Sequence, residues 1–243
     1  MKKAQVTLFI IIAILIIAII FLIFWQQWAF GGKLSATDLA KVKSYVDDCF
    51  KLKTRQGVLL IAKQGGYNTL PDASINFLEE KTAYYFKDNQ TLVPTISTVE
   101  EELNSWLNDN LKECLSMPGY SLTTKECNAS SKIKEKVRVD FNCPIVVTKD
   151  TTSSRIPETF VEIEAPITKM LDVSAKIIEE YKKNRGYVCV SCFDEIALAN
   201  NVTIKGVSIT KEIAEPEHIW FLITDKNIKF DDKNITWRFV IEI

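Results

Sequence analysis

An uninterrupted apolar run near the start of the chain limits its structure more than any other feature. Residues 8–25 are eighteen consecutive apolar positions, a length that would extend about 27 Å as a helix. Val6 and Thr7 bring this to about 30 Å, the thickness of the hydrocarbon core of a bilayer. Because a helix satisfies its own backbone hydrogen bonds in lipid, the run predicts a transmembrane helix whose residues 6–28 contact the bilayer.

The charges on the two sides of this run predict its orientation. Lys2 and Lys3 precede it, and no acidic residue occurs before Asp38. The positive-inside rule therefore places the N-terminus in the cytoplasm and the rest of the chain outside the cell membrane. The predicted organisation is a single-pass anchor at 1–30, a glycine hinge at 31–34 and an extracytoplasmic domain at 35–243.

Two other fates of the N-terminus remain open. A removable secretory signal has an apolar core of roughly 7–15 residues and a small-residue cleavage site, whereas this run is longer and ends in Trp-Gln-Gln-Trp-Ala-Phe. "KKAQVTLFII" resembles the class III signal sequence of archaeal pilins and archaellins, and the cut would fall between Ala4 and Gln5. Phe9 stands where a glutamate is usual, and Gly31-Gly32 would interrupt the long helix of a pilin. The resemblance implies a pilin-like filament subunit, processed after Ala4, as an alternative.

Composition excludes some classes of partner. Beyond residue 30 the chain has 28 basic and 31 acidic side chains, so the net charge there is −3. This near balance argues against nucleic acid as a ligand. The sequence contains neither a glycine-rich phosphate loop nor a metalloprotease helix motif, and no cofactor is predicted.

All six cysteines follow the apolar run, in the part of the chain predicted to lie outside the cell. An even number of cysteines in such a region suggests disulfides, although six cysteines allow fifteen pairings. The predicted elements suggest one bond between two helices, one at the entry to a strand and one local link. These pairs are Cys49 with Cys114, Cys127 with Cys143, and Cys189 with Cys192.

Four sequons of the form Asn-X-Ser/Thr are candidate glycosylation sites. They begin at Asn89, Asn128, Asn201 and Asn234. Their number is a modest excess over chance and is compatible with a glycosylated outer surface.

Periodicity predicts the elements of the domain. Apolar residues at three- and four-residue steps predict helices at 35–64, 98–114 and 167–185, with a short one near 193–199. Alternation of apolar and polar residues predicts strands. Two lie within 74–86, and the others lie at 136–141, 144–148, 159–165, 202–209, 218–224 and 235–243. Since helices and strands come in blocks, we expect an α+β class with three main helices and a largely antiparallel sheet. A division into two smaller units would fall near 118–133.

The motif "CVSC" is the strongest candidate for chemistry. A structural disulfide is favoured, and the alternatives are a thiol–disulfide oxidoreductase using Cys189 and Cys192 or half of a zinc site. His218 is the only histidine, and its strand context favours a satisfied structural residue over a general base. The glutamates at 79–80, 100–102 and 179–180 are interpreted as solvated, and the rings at 84–86 as core. No catalytic or metal site is therefore predicted.

The order of the segments resembles a group of uncharacterised single-pass membrane proteins of small-genome archaea. The likeness rests on "QVTLFIII", "CFKLKTRQGVLLIAKQGGY", "VEEELNSWLNDNLKECL" and the final "WRFVIEI", and would cover nearly the full length. It implies the same topology, a membrane anchor and an outer domain, and no catalytic residue.

The sequence thus predicts a membrane-anchored cell-envelope protein that presents an extracytoplasmic interaction domain and is not an enzyme. Its expected partners are the bilayer and either another envelope protein or a second copy of itself.

Overall fold

The computed structural model describes residues 14–22, 33–77, 80–184, 189–209, 218–230 and 233–243. The proposed cleavage site, most of the anchor and the Gly31-Gly32 pair lie outside these residues. The class is α+β, as predicted, and the described residues contain five helices. These are α1 at 14–22, α2 at Ala36–Lys63, α3 at Ile96–Asn110, α4 at Ile167–Lys183 and α5 at Val190–Asn200. A 3-10 turn at Leu111–Leu115 continues α3.

Thirteen strands form three sheets among the described residues. The strands are β1 (Ser74–Phe77), β2 (Glu80–Lys87), β3 (Gln90–Thr91), β4 (Ser116–Met117), β5 (Tyr120–Thr123), β6 (Asn128–Ile133), β7 (Val137–Asn142), β8 (Ile145–Lys149), β9 (Thr152–Ile156), β10 (Thr159–Ile163), β11 (Val202–Ile209), β12 (His218–Phe230) and β13 (Lys233–Glu242). The largest sheet has the order β1-β2-β13-β12-β11, with β3 added beside β2. The smaller sheets have the orders β10-β7-β6 and β4-β5-β8-β9.

The prediction of one sheet was wrong, and five strands escaped the sequence pattern: the two-residue strands β3 and β4, and β5, β6 and β9. β5, β6 and β9 are rich in serine and threonine, and the inward positions of β6 include Ala129 and Ser131. Such small or polar residues give little apolar alternation. β5 and β6 lie in the segment near 118–133 and pair with β8 and β7. Pairing is antiparallel throughout except between β13 and β2, which are parallel.

Helix α2 lies at the centre of the domain. Ser35 caps its start by accepting the Asp38 N–H at 3.1 Å, and at its end the Gly66 N–H donates to the Ile61 carbonyl at 2.8 Å. Gly65 and Gly66 have φ of +70° and +92°, a conformation that favours glycine. The predicted helix and its glycine stop are therefore both confirmed.

Stacked rings connect α2 to the three-stranded sheet and join neighbouring strands within the largest sheet. The ring of Phe50 in α2 stacks on Phe141 of β7 at 4.3 Å. In the largest sheet Tyr85 stacks on Phe239 at 4.6 Å, and Phe239 stacks on Phe221 at 5.1 Å. Tyr85 is fully buried, so its hydroxyl must be satisfied within the protein.

The Tyr85 hydroxyl has both a donor and an acceptor at hand. It donates to the Gly65 carbonyl at 3.0 Å and accepts from Trp237 Nε1 at 3.0 Å. Burial raises the pKa of Tyr85 well above its ordinary value. The end of α2 is thus joined to β2 and β13 by a neutral hydrogen-bonded chain.

Helix α3 covers the edge of the three-stranded sheet that is formed by β6. Three of its side chains accept N–H groups of β6: Asn108 from Ala129, Asn104 from Ser131 and Glu100 from Ile133, at 2.7, 2.6 and 2.7 Å. Positions four apart on a helix repeat every ~6 Å, close to the ~6.8 Å between alternate residues of a strand. The polar stripe therefore matches the strand and closes an edge that could otherwise pair with another chain.

The sequence also predicts a capping box from Thr98 to Glu101 and a helix end at Pro118-Gly119, and both details were wrong. Helix α3 is capped by Thr95, whose hydroxyl accepts the Thr98 N–H at 3.1 Å, and not by Thr98 itself. Pro118-Gly119 does not end the helix, which already ends in the 3-10 turn, but forms the turn between β4 and β5. Gly119 has φ of +83° there, as the second central residue of a type II turn requires.

Among the described residues, no helix is both long and apolar enough to cross a membrane. Of the predicted span, the structure describes α1, whose nine residues are all exposed.

Replacement of Asn104 by alanine should destabilise the domain. The Ser131 N–H, on a residue 1% exposed, would lose its acceptor, and an unsatisfied buried donor costs about 1–3 kcal/mol. Urea unfolding followed by circular dichroism measures the change. Ser105→Ala on the exposed side of α3 is the control and should change stability by no more than about 0.5 kcal/mol. Equal midpoints for the two variants would show that the stripe does not stabilise the edge.

Candidate functional site

The CVSC motif begins helix α5. Cys189 is the N-cap residue and Cys192 lies in the first turn, and their Cα atoms are 5.3 Å apart across a disulfide. Cys189 Sγ lies 3.6 Å from the Ser191 hydroxyl. Both cysteines are partly exposed, and Val190 between them is 66% exposed. The disulfide is therefore at the surface of the domain.

Helix α5 is attached to the domain independently of this disulfide. Phe193 is 6% exposed and packs edge-on against Phe221 of β12 at 5.4 Å. At the other end Lys176 of α4 donates to Asn200 Oδ1 at 3.3 Å. Among the described residues the helix follows α4 and precedes β11, so a helix, and not the strand of a thioredoxin-like βαβ unit, comes before it.

The other two disulfides connect distant parts of the chain. Cys49 of α2 bonds to Cys114 of the 3-10 turn, and Cys127 bonds to Cys143 beside the β6–β7 hairpin. Their separations are 65 and 16 residues, against 3 for the CVSC link. In the chain-entropy model these loops correspond to about 4, 3 and 2 kcal/mol of stabilisation respectively. The structure thus contains the same three pairs that the elements suggested.

His218 is a structural residue in β12. Its side chain is buried, with the residue 7% exposed, and Nδ1 lies 3.4 Å from the Tyr84 hydroxyl. The two rings meet edge to face, with centroids 5.6 Å apart. This agrees with the interpretation of His218 as a satisfied strand residue. The rings of Tyr84, Tyr85 and Phe86 are all buried as well, as expected for core.

Two of the glutamates interpreted as solvated have structural contacts instead. Glu100 accepts the Ile133 N–H at the end of β6 and pairs with Lys132 at 3.0 Å, and its side chain is only 13% exposed. Glu102 accepts the N–H groups of Asn68 and Thr69, each at 2.9 Å. That interpretation was therefore wrong for these two residues, whose acceptors satisfy backbone groups of neighbouring segments.

Other acidic candidates form surface pairs. Glu80 pairs with Arg238, and Glu180 pairs with Lys183 at 3.1 Å. Glu79 lies outside the described residues.

A buried ion pair escaped the sequence analysis. Asp225 in β12 is fully buried and accepts Lys169 Nζ of α4 at 2.5 Å, while the Lys169 side chain is 35% exposed. The other carboxylate oxygen accepts the N–H groups of Asn227 and Ile228 at 2.7 and 3.0 Å, where the register of β12 against β13 shifts. Burial opposes ionisation of Asp225, but these hydrogen bonds outweigh it and its pKa is lowered.

Two surface clefts lie near these charged groups. One of about 300 Å³ borders Lys169 and is lined by Lys134, Glu135, Pro166, Thr168 and Ile228. The other, of about 260 Å³, has both signs of charge and is lined by Lys51, Arg55, Glu162, Ile163, Glu164 and Lys229. Neither concentrates one sign of charge as an ion-binding cleft does. No group of three or more side chains suited to a metal ion occurs within the described parts of the chain.

The four sequons are all accessible. Asn89 lies in the turn between β2 and β3, Asn128 starts β6, Asn201 follows α5 and Asn234 lies in β13; each is exposed. The geometry is therefore compatible with glycosylation at every one of them.

Comparison of the chain with protein-family models, with curated proteins and with solved structures finds no match.

Lys169→Met should destabilise the domain more than Asp225→Asn. Loss of the ammonium leaves a buried carboxylate uncompensated, which costs about 3–5 kcal/mol. Asparagine retains an acceptor for the two N–H groups and Lys169 can reach water, so that change should cost about 1.5–3 kcal/mol. Chemical unfolding at pH 7 measures both. The control is Lys183→Met, which breaks an exposed pair with Glu180 and should cost less than about 1 kcal/mol. The reverse order of the first two variants would contradict a buried ionised Asp225.

The effect of Asp225→Asn should depend on pH. Because the folded-state pKa of Asp225 is lowered, its ionisation stabilises the fold above the unfolded-state pKa of about 3.9. This stabilisation is lost as the pH falls through the folded-state value. The difference in unfolding free energy between wild type and variant should therefore be constant near neutrality and shrink in acid. Unfolding curves recorded from pH 7 down to pH 3 test this, and a difference that grows in acid would contradict it.

Proposed function

We propose that the protein is a single-pass membrane protein of the cell envelope whose C-terminal domain lies outside the cell and binds a protein partner without catalysing a reaction. The observation that carries this proposal is the oxidation of all six cysteines, all on the C-terminal side of the apolar run. Disulfides form and persist in oxidising compartments and are rare in the cytosol. The lysines ahead of the run favour the same orientation.

The helix α1 supports the membrane part of the proposal. Its nine residues include no polar side chain, and its large apolar side chains are 48–67% exposed. Exposed apolar surface of this extent is unfavourable in water and marks a surface that contacts lipid or protein. Since the apolar residues continue on both sides to positions 8 and 25, the simplest environment for the whole run is a bilayer.

The first residues of the domain are attached to its body by several contacts. Leu34 is buried, and its N–H donates to the Ser154 hydroxyl at 3.2 Å. Asp38 accepts the Tyr120 hydroxyl at 2.5 Å and Lys149 Nζ at 3.1 Å. The hydrogen bond from Tyr120, followed by that from Lys149, lowers the pKa of Asp38. The path of the chain into the domain is therefore defined from residue 34 onward, at the β4–β5 and β8–β9 hairpins.

The outer face of the three-stranded sheet has features of a contact surface. Phe160 of β10 is 54% exposed, and the Arg138 guanidinium lies over its ring at 4.1 Å from the centroid. Glu162 and Asp140 pair with Arg138 on the same face. Aromatic residues and arginine are enriched at protein interfaces, where they contribute most of the binding energy. This face is the contact surface that we assign to the partner.

Charges within α1 should release the protein from membranes. A double variant, Ile16→Asp with Ile20→Asp, places two carboxylates at the middle of the apolar run, each costing about 3 kcal/mol in lipid. After an alkaline carbonate wash, the wild type should sediment with membranes and the variant should stay in the supernatant. Leu52→Asp, at an exposed apolar residue of α2, is the control and should sediment. A double variant that still sediments would contradict the anchor.

The mass of the membrane-extracted protein distinguishes the anchor from the filament subunit. A chain that retains Met1 supports a permanent anchor. A chain that begins at Gln5, together with regular polymers in electron micrographs, would favour the pilin-like alternative instead.

A photo-crosslinking residue at position 160 should capture the partner in intact cells. The physical reason is that Phe160 lies beside Arg138 on the proposed contact face, whereas position 52 on α2, which is exposed to a similar extent, lies outside that face and serves as the matched control. An adduct at 160 and none at 52 is expected, and mass spectrometry of the adduct separates an envelope protein from a second copy of the chain. Equal adducts at both positions, or none at 160, would contradict this assignment of the contact surface.

A further inference from the structure

Cleavage of the Cys189–Cys192 disulfide would change less of the fold than cleavage of either other disulfide. This disulfide joins two residues that are only 3 positions apart, at the start of one helix. Phe193 attaches that helix to the core through Phe221, and this contact does not depend on the disulfide. Because α5 keeps its place, the reduced and oxidised forms should have the same fold.

The three disulfides also differ in the solvent exposure of the cysteine that would leave as a thiolate. Cys49–Cys114 and Cys127–Cys143 each have one buried cysteine, with Cys114 0% and Cys143 3% exposed. Attack on the accessible sulfur of either bond would release a thiolate into apolar surroundings, which disfavour its charge. At the CVSC motif both sulfurs belong to partly exposed residues, so a thiolate released there is solvated.

The start of α5 further favours a thiolate at Cys189. Cys189 is the N-cap residue, and the N–H groups of the first helical turn have no intrahelical acceptors. These groups and the helix dipole attract negative charge, and the Ser191 hydroxyl lies 3.6 Å from the sulfur as a further donor. Asp194 and Glu195 oppose the charge, but both are exposed and are therefore screened by water and salt.

We propose that Cys189–Cys192 is an exchange-reactive disulfide that oxidises an external dithiol at the surface of the domain. A thiolate of the dithiol attacks Cys192 Sγ, an S–S bond forms between the two molecules, and the electron pair of the broken bond goes to Cys189 Sγ. The second thiol of the dithiol loses its proton to solvent and attacks the sulfur of its own molecule in the mixed disulfide. This step releases Cys192 as a thiolate and the dithiol as its disulfide, so that two electrons pass to the protein.

Graded reduction of the full-length protein in detergent tests this proposal, with dithiothreitol as the dithiol. Samples taken at intervals are alkylated, and peptide mass spectrometry measures the modification of each cysteine. Cys189 and Cys192 should be alkylated at least about tenfold faster than the other four cysteines, while circular dichroism stays unchanged. Alkylation no faster than that of the other pairs, or only with loss of the folded signal, would overturn the proposal.

Paired serine substitutions provide the matched control. Cys189→Ser with Cys192→Ser should leave the domain folded, lower the urea midpoint less than the Cys49–Cys114 pair of substitutions does, and abolish the fast oxidation of dithiothreitol. Cys49→Ser with Cys114→Ser should lower the midpoint and leave the fast phase in place under conditions where that variant is folded. An unfolded first variant would show that the CVSC disulfide is structural and would also overturn the proposal. None of these outcomes depends on membrane attachment, so the proposed function is tested separately.

Discussion

The burial of helix α2 on several sides is the constraint on which the rest of the domain depends. Phe50 of this 28-residue helix stacks on Phe141 of the three-stranded sheet, and Gly65, just after the end of the helix, accepts the Tyr85 hydroxyl of the largest sheet. Neither sheet could cover it alone, so a single core joins elements from the start and the end of the chain. The Cys49–Cys114 disulfide limits the freedom of the same helix in the unfolded chain, where loop closure over 65 residues has its largest effect.

The elements that the sequence predicted well are those whose apolar period continues without interruption. Helices α2 and α4 and strands β12 and β13 have strong patterns, because their apolar residues are buried in the core. Strand β6 was missed because its inward residues include Ala129 and Ser131, which give little apolar alternation. A signal for it was nonetheless present, since Glu100, Asn104 and Asn108 recur at four-residue steps along one side of α3.

Of the candidate site, only the disulfides could be predicted from the sequence, because cysteines are recognisable by residue type. Cysteine spacing and the predicted elements suggested the three pairs, but the predicted short helix near 193–199 begins after the motif, whereas α5 begins at Val190, directly after Cys189. Asp225 could not be found in this way, because a single carboxylate in an apolar strand has no spacing that reveals its partner. Lys169 lies 56 residues away in the chain, and only the folded packing of α4 against β12 brings the two together.

The surfaces of the molecule suggest a division of roles between its two ends. Where the chain enters the domain, Asp38, Lys149 and Tyr120 satisfy one another, so the start of α2 is held against the β4–β5 and β8–β9 hairpins. The CVSC disulfide and the Phe160 face have the opposite character, because their reactive or apolar groups are exposed beside elements that are already stable without them. Groups retained at a surface without a structural need are the ones most available for contact and chemistry with other molecules. A domain whose fold is secured by α2 and two long-range disulfides can expose a third disulfide to exchange, since its opening costs the fold little.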